Sequence, residues 1–283
     1  TEVSAMRRKR QNIWEDEWDD LRRREEKYIY KNCVQGAKLF SKLQKIVPKN
    51  LQSKLDAAFI KAFEVIFDKG TGVIEKTYNK EKRQSEYEVR EYAAKIREDK
   101  QNVRAFRKKA SGYARKNLLF SSLEGIGFGL IGLGLPDIPL FVSLTLRNLY
   151  EISLSFGYDY DNTEERYFQL RIIETALYSG DEMRARDESM NALCKNMCGS
   201  KQQKPEDTKK LAFDLKEQIH RTAKALSDDM LYAKFIQGQM LVGVIGGATD
   251  VTVLKRITDY AMLKYRRRYL LDREWSEQTE GTT

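Results

Sequence analysis

Residues 125–160, GIGFGLIGLGLPDIPLFVSLTLRNLYEISLSFGYDY, set the terms for any fold this chain can adopt. The stretch is nearly all apolar, carries five glycines in its first ten residues, and turns at a Leu-Pro-Asp-Ile-Pro corner. Asp137, Arg147, Asn148 and Glu151 interrupt it. Charges carried through an apolar segment must be paired, used as caps, or used chemically. Asp137 stands where an N-cap belongs and Pro139 falls in the first turn, where a missing N–H costs nothing. The helix this opens is predicted to run to Phe156 and to end on Gly157 in a left-handed position.

Periodicities near 3.6 residues dominate the remainder, and no run alternates as a strand would. Trp14, Trp18 and Leu21 mark a first amphipathic helix, read as an N-terminal arm over residues 1–30. A second candidate is Cys33 to Ile46, stopped before Pro48. A third runs from about Leu51 to Asp68, with Leu55, Ala58, Phe59, Ala62, Phe63 and Ile66 as its stripe. Val73 to Lys116 is polar enough for two helices, anchored by Ala93, Ile96, Val103 and Phe106. Leu118 to Ile131 reads as a glycine-rich apolar helix. Asp161-Asn-Thr-Glu164 reads as a capping box for a helix stopping at Gly180. A polar linker is expected at about 181–207, broken by Gly199, Ser200 and Pro205. Helix resumes over Thr208–Gly238, and a basic helix spans Asp250–Trp275, leaving 276–283 as a disordered tail. The expectation is an all-α protein of about nine or ten helices without β-sheet, its main domain spanning 31–275.

Gly125 and Gly129 form one GxxxG step, extended by Gly132 and Gly134; Gly243 and Gly247, with Gly246 between, form another. Missing side chains let helices approach closely, so the leading expectation is a domain packed around these two segments. A second reading dips them into a bilayer interface. A transmembrane hairpin fits poorly, because the first segment holds only about 14 residues before the corner and carries Glu124, against the roughly 20 required.

Bases bracket both segments: Lys100, Arg104, Arg107, Lys108, Lys109, Arg115 and Lys116 before the first, and Lys255, Arg256, Lys264, Arg266, Arg267 and Arg268 after the second. With a net charge of +9, these point to anionic partners. Lys108, Lys109, Lys116, Lys264, Arg266 and Arg267 are the expected membrane-facing set. Nucleic acid fits less well, since acids are interspersed and no binding module is recognisable. Three cysteines suggest a reducing compartment. The N-terminus has no apolar core of a signal peptide, so a cytoplasmic location is expected.

Chemistry has few places to hide. Gly127-Phe-Gly129-Leu-Ile-Gly132 spells a dinucleotide fingerprint but lacks the preceding strand. A P-loop, H-E-x-x-H and G-x-S-x-G are missing, and the single histidine, His220, lies in a polar helix. Cys194 and Cys198 have no partners for a zinc site. Acid–base work would fall to the carboxylates Asp137, Glu151 and Glu165. A cluster of Asp137, Arg147, Asn148, Glu151, Arg166 and Arg268 could be a set of structural ion pairs. Alternatively it could be a site holding a divalent ion and phosphate; no other cofactor is indicated. Arg268 shares a stripe with Ile257, Ala261 and Tyr265, so it is expected to point inward toward Asp137 or Glu151.

The runs GLPDIPLF, LYEISLSFGYDYD and EERYFQLRIIETAL resemble the EcsC family, as do KIVPKNLQSKLDAAFIKAFEVIFDKGTG, VGVIGGA and YRRRYLL. The likeness covers almost the whole chain. One departure is Asp250 after Thr249, where the family pattern usually has asparagine. The resemblance implies an all-α intracellular bacterial protein associated in some members with membrane or ABC-transporter biology, and implies no established reaction. Together with the basic patches, the resemblance suggests a cytoplasmic accessory protein peripheral to a membrane or a membrane transporter complex; the alternative, read from the Asp137/Glu151 cluster, is a carboxylate-based, metal-dependent hydrolase.

Overall fold

The computed structural model describes residues 2–34, 49–69, 71–96, 104–105, 108, 110–112, 137–199, 213–236 and 247–280. Among these residues all regular structure is helical and there is no strand. Nine helices are delimited: α1 (Glu2–Val34), α2 (Lys49–Lys69), α3 (Thr71–Glu75), α4 (Lys80–Ile96), α5 (Asp137–Ser155), α6 (Thr163–Leu177), α7 (Gly180–Asn196), α8 (Leu215–Ile236) and α9 (Gly247–Glu280). Gly125, Gly129, Gly132, Gly134, Gly243 and Gly246 lie outside the described residues, as does most of the Cys33–Ile46 candidate, while Gly247 opens α9.

The described core is organised by α5 and α9. Helix α5 is apolar almost all round, which a helix can be only when surrounded. Ile138, Val142, Leu146, Leu149, Tyr150 and Ile152 are all buried, and α5 packs on α2, α3, α4 and α9. Helix α9 touches α1, α5, α6 and α7, and α8 closes the structure against α2 and α6. The α2 stripe lies where its spacing puts it, with Leu55, Ala58, Phe59, Ala62, Phe63 and Ile66 buried. Phe59 meets Phe141 edge-on at 6.5 Å.

The ends of α5 and α6 follow from local chemistry. Gly157 adopts φ 77°, with Gly157 N–H donating to Leu154 O and Tyr158 N–H to Ser153 O. This paired arrangement satisfies the last carbonyls of the helix. The α6 cap is Asn162, one residue later than the expected box; its side chain accepts from the Glu165 N–H at 2.7 Å.

Three boundaries differ from expectation. Residues 181–196 of the expected linker belong to helix α7, because Met183, Met190 and Cys194 form a sparse buried stripe that packs on α1, α6 and α9. The tail is helical as far as Glu280. The N-terminal arm does not stand apart: α1 packs on α7 and α9, burying Trp14, Trp18, Leu21 and Ile29. No helix among the described residues is long and apolar enough to cross a membrane.

Candidate functional site

The junction of α1, α7 and α9 buries charge at positions where core residues belong. On α1, Trp14, Trp18, Leu21, Glu25 and Ile29 follow one stripe and all are buried. On α7 the stripe is Met183, Asp187, Met190 and Cys194, and on α9 it includes Ile257, Tyr260, Ala261 and Lys264. Where the three meet, Lys264 is 0% exposed. Its Nζ lies 2.9 Å from Glu25 Oε1, 2.7 Å from Asp187 Oδ1 and 2.7 Å from Asn191 Oδ1. Tyr260 donates its hydroxyl to Asp187 at 2.8 Å.

Beside it, Arg267 grips Glu25 with two bonds of 2.9 and 2.5 Å and lies over Trp18 at 5.5 Å. Arg266 reaches Glu17 Oε2 at 2.5 Å, Glu17 O at 2.9 Å and Asp20 Oδ2 at 2.8 Å. An open groove of about 500 Å³ borders the junction, with Glu25, Asp187, Asn191 and Arg267 in its wall. Burial alone would raise the Glu25 pKa. The Arg267 and Lys264 charges and hydrogen bonds outweigh it and hold the carboxyl below its ordinary 4.5. Burial, reinforced by Asp187, pushes the Tyr260 hydroxyl well above its ordinary value. Glu25 therefore stays a carboxylate at neutral pH.

Three of the bases expected to face a membrane are accordingly turned into the protein. Lys264 and Arg266 are buried and Arg267 is half-buried, each turned inward by an acid of α1 or α7. Lys108 is exposed, while Lys109 and Lys116 lie outside the described residues.

The expected carboxylate cluster is divided between separate partner sets. Glu151 accepts from Arg147 Nε at 3.2 Å through Oε1, and from Arg83 at 3.1 and 3.0 Å through Oε2. Arg83 of α4 was not anticipated. Arg268 does point inward, but its partner is Glu165 at 2.7 Å rather than Asp137 or Glu151. Glu165 takes a further hydrogen bond from Tyr265 at 2.5 Å, and the guanidinium lies 4.0 Å over Tyr158 and 4.4 Å over Phe168. Asn148 donates to Thr258 at 3.3 Å. Arg166 lies over the Phe67 ring at 5.3 Å. Asp137 opens α5, and its side chain lies outside the described residues. No group of three or more His, Cys, Asp or Glu among the described residues is placed to hold a metal ion.

A different feature lies on the surface of α4. Val89, Tyr92 and Ile96 are spaced i, i+3, i+7 and are 68%, 67% and 69% exposed. They form an apolar strip on an otherwise polar helix, KEKRQSEYEVREYAAKI. Ile96, whose spacing predicts a core anchor, lies on this exposed strip instead. A helix with apolar residues on two faces cannot be resolved from spacing alone.

The EcsC protein family model matches residues 14–270. Protein EcsC of Bacillus subtilis (strain 168) is 33% identical over 63 residues, which are 22% of this chain and 27% of that protein. The chain thus spans about a quarter of the length of this curated relative. No solved structure matches.

Proposed function

The chain belongs to the EcsC protein family, and on that premise we propose that it is an accessory protein docking peripherally on the anionic cytoplasmic face of a membrane, beside a membrane transporter complex where one is present. The observation that carries this reading is the α4 strip of Val89, Tyr92 and Ile96. Contiguous apolar groups displayed on a charged helix mark a surface that meets something other than water. Tyrosine with aliphatic neighbours suits the headgroup layer, and the strip leads in sequence into the basic run Lys100–Lys116, of which Arg104 and Lys108 are exposed. Apolar burial with adjacent bases is how interfacial helices hold to anionic lipid.

Among the described residues, Glu151 and Glu165 lend a carboxylate-based hydrolase no support. Both oxygens of Glu151 and both of Glu165 already accept hydrogen bonds, from Arg147 and Arg83 and from Tyr265 and Arg268.

Flotation with vesicles of phosphatidylglycerol and phosphatidylcholine tests the proposal. Protein should float with anionic vesicles at low salt and be released at high salt. Replacing Val89 and Ile96 together by glutamate should lower recovery by about tenfold or more, since each apolar side chain contributes roughly 1.5–3 kcal/mol when fully buried. Absence of flotation, or equal flotation of the variant, would refute it.

A further inference from the structure

The geometry points to α1 as a displaceable membrane-binding helix, its acids Glu17, Asp20 and Glu25 standing in the closed molecule where anionic lipid headgroups would otherwise meet Arg266 and Arg267 of α9. This rests on the peripheral-membrane reading and adds to it a second contact and the event that uncovers it.

Beside the stacking of Tyr28 on Tyr260, the seam between α1 and α9 includes two kinds of contact that a headgroup layer can replace. The first is ionic. The Arg266 guanidinium donates to α1, to Glu17 and Asp20, and that of Arg267 donates to Glu25. Lys264 differs, because Asp187 and Asn191 of α7 remain to it if α1 leaves. Withdrawal of α1 thus strips two adjacent guanidiniums while the buried ammonium stays compensated. A guanidinium that binds carboxylate through two bonds also matches a phosphate oxygen pair.

The second kind is aromatic. Trp14 lies under Arg273 at 4.6 Å and Trp18 under Arg267 at 5.5 Å, so both indoles already sit between apolar packing and cationic groups. Indole rings favour that same boundary at a bilayer surface. In the sequence Arg7, Arg8, Lys9 and Arg10 precede Trp14, which gives the segment the basic and aromatic composition of helices that lie in the interface plane. One end of the seam is open, since Glu25 and Arg267 both line the groove, so headgroups can engage Arg267 first and Arg266 as α1 leaves.

Tryptophan emission tests this directly. The chain has three tryptophans, and Trp275→Phe leaves only the two on α1. With vesicles carrying brominated acyl chains, emission from Trp14 and Trp18 should be quenched on anionic membranes and unaffected on zwitterionic ones. Glu17→Gln with Asp20→Asn should raise recovery on anionic vesicles by about tenfold, in line with roughly 1 kcal/mol for each base brought to the surface. Adding Arg266→Gln and Arg267→Gln should cancel the gain. Should these variants fail to fold, quenching of the wild-type chain, compared with the Trp14→Phe, Trp18→Phe chain, decides the matter. Flotation without quenching would overturn the role of α1 and leave the α4 strip as the docking surface. Failure to float would overturn both.

Discussion

At the scale of single residues, the chain places ionised groups at helix positions where leucine or valine would be ordinary. Glu165 and Arg268 are the clearest pair, each about 3% exposed and surrounded by Tyr158, Phe168 and Tyr265. Removing one member of such a pair leaves the other charged, desolvated and alone, which costs more than the pair contributes. Glu165→Gln should therefore lower stability by about 3 kcal/mol or more in urea unfolding. Arg268→Met in the same chain should restore most of the loss, because it removes the stranded charge and keeps the volume. Equal destabilisation by the single and double variants would mean that packing, not charge, governs this site.

At the scale of helices, boundaries are decided by a few residues with special geometry. Gly157 holds a left-handed conformation, and a methyl group placed there would come within 2.3 Å of the Tyr87 ring. Gly157→Ala should cost about 1–2 kcal/mol from the backbone alone, with more from moving Tyr87. Gly72, with nothing within 4 Å, should accept alanine at no loss; differential scanning of the two variants compares them. The end of α5 was legible because glycine at such a position is a strong local signal. So was α2, whose six apolar residues keep strict spacing. Helix α7 was not legible, because Asp187 occupies the step between Met183 and Met190 and makes a core stripe resemble a solvated face. Glu25 on α1 and Lys264 on α9 also interrupt core stripes, but Trp14, Trp18 and Leu21 on the one and Ile257, Ala261 and Tyr265 on the other still marked those helices. The partners of Arg268 and Glu151 were illegible for a further reason: helical spacing tells which face a side chain takes, but not which helix it will meet.

At the scale of the molecule, the three charge-bearing stripes come together, and acid should loosen them together. The Glu25 carboxyl is held below its ordinary value, so the folded state binds its proton less readily than the unfolded chain does. The stabilisation this gives is fully present above pH 4.5 and is lost as pH falls through the lower folded value. The urea midpoint should hold from pH 7 to about 5 on this account and then decline. In Glu25→Gln the decline should be shallower; parallel curves for the two proteins would show that Glu25 does not link the helices to pH.

Helix α9 gives this assembly a mechanical character. Its 34 residues make a rod about 50 Å long at 1.5 Å per residue, unbroken from Gly247 to Glu280. Such a rod transmits force with little loss: a push at one end arrives at the other as rotation or translation of the whole. Helices α1, α5, α6 and α7 are seated along it like fittings on a mast.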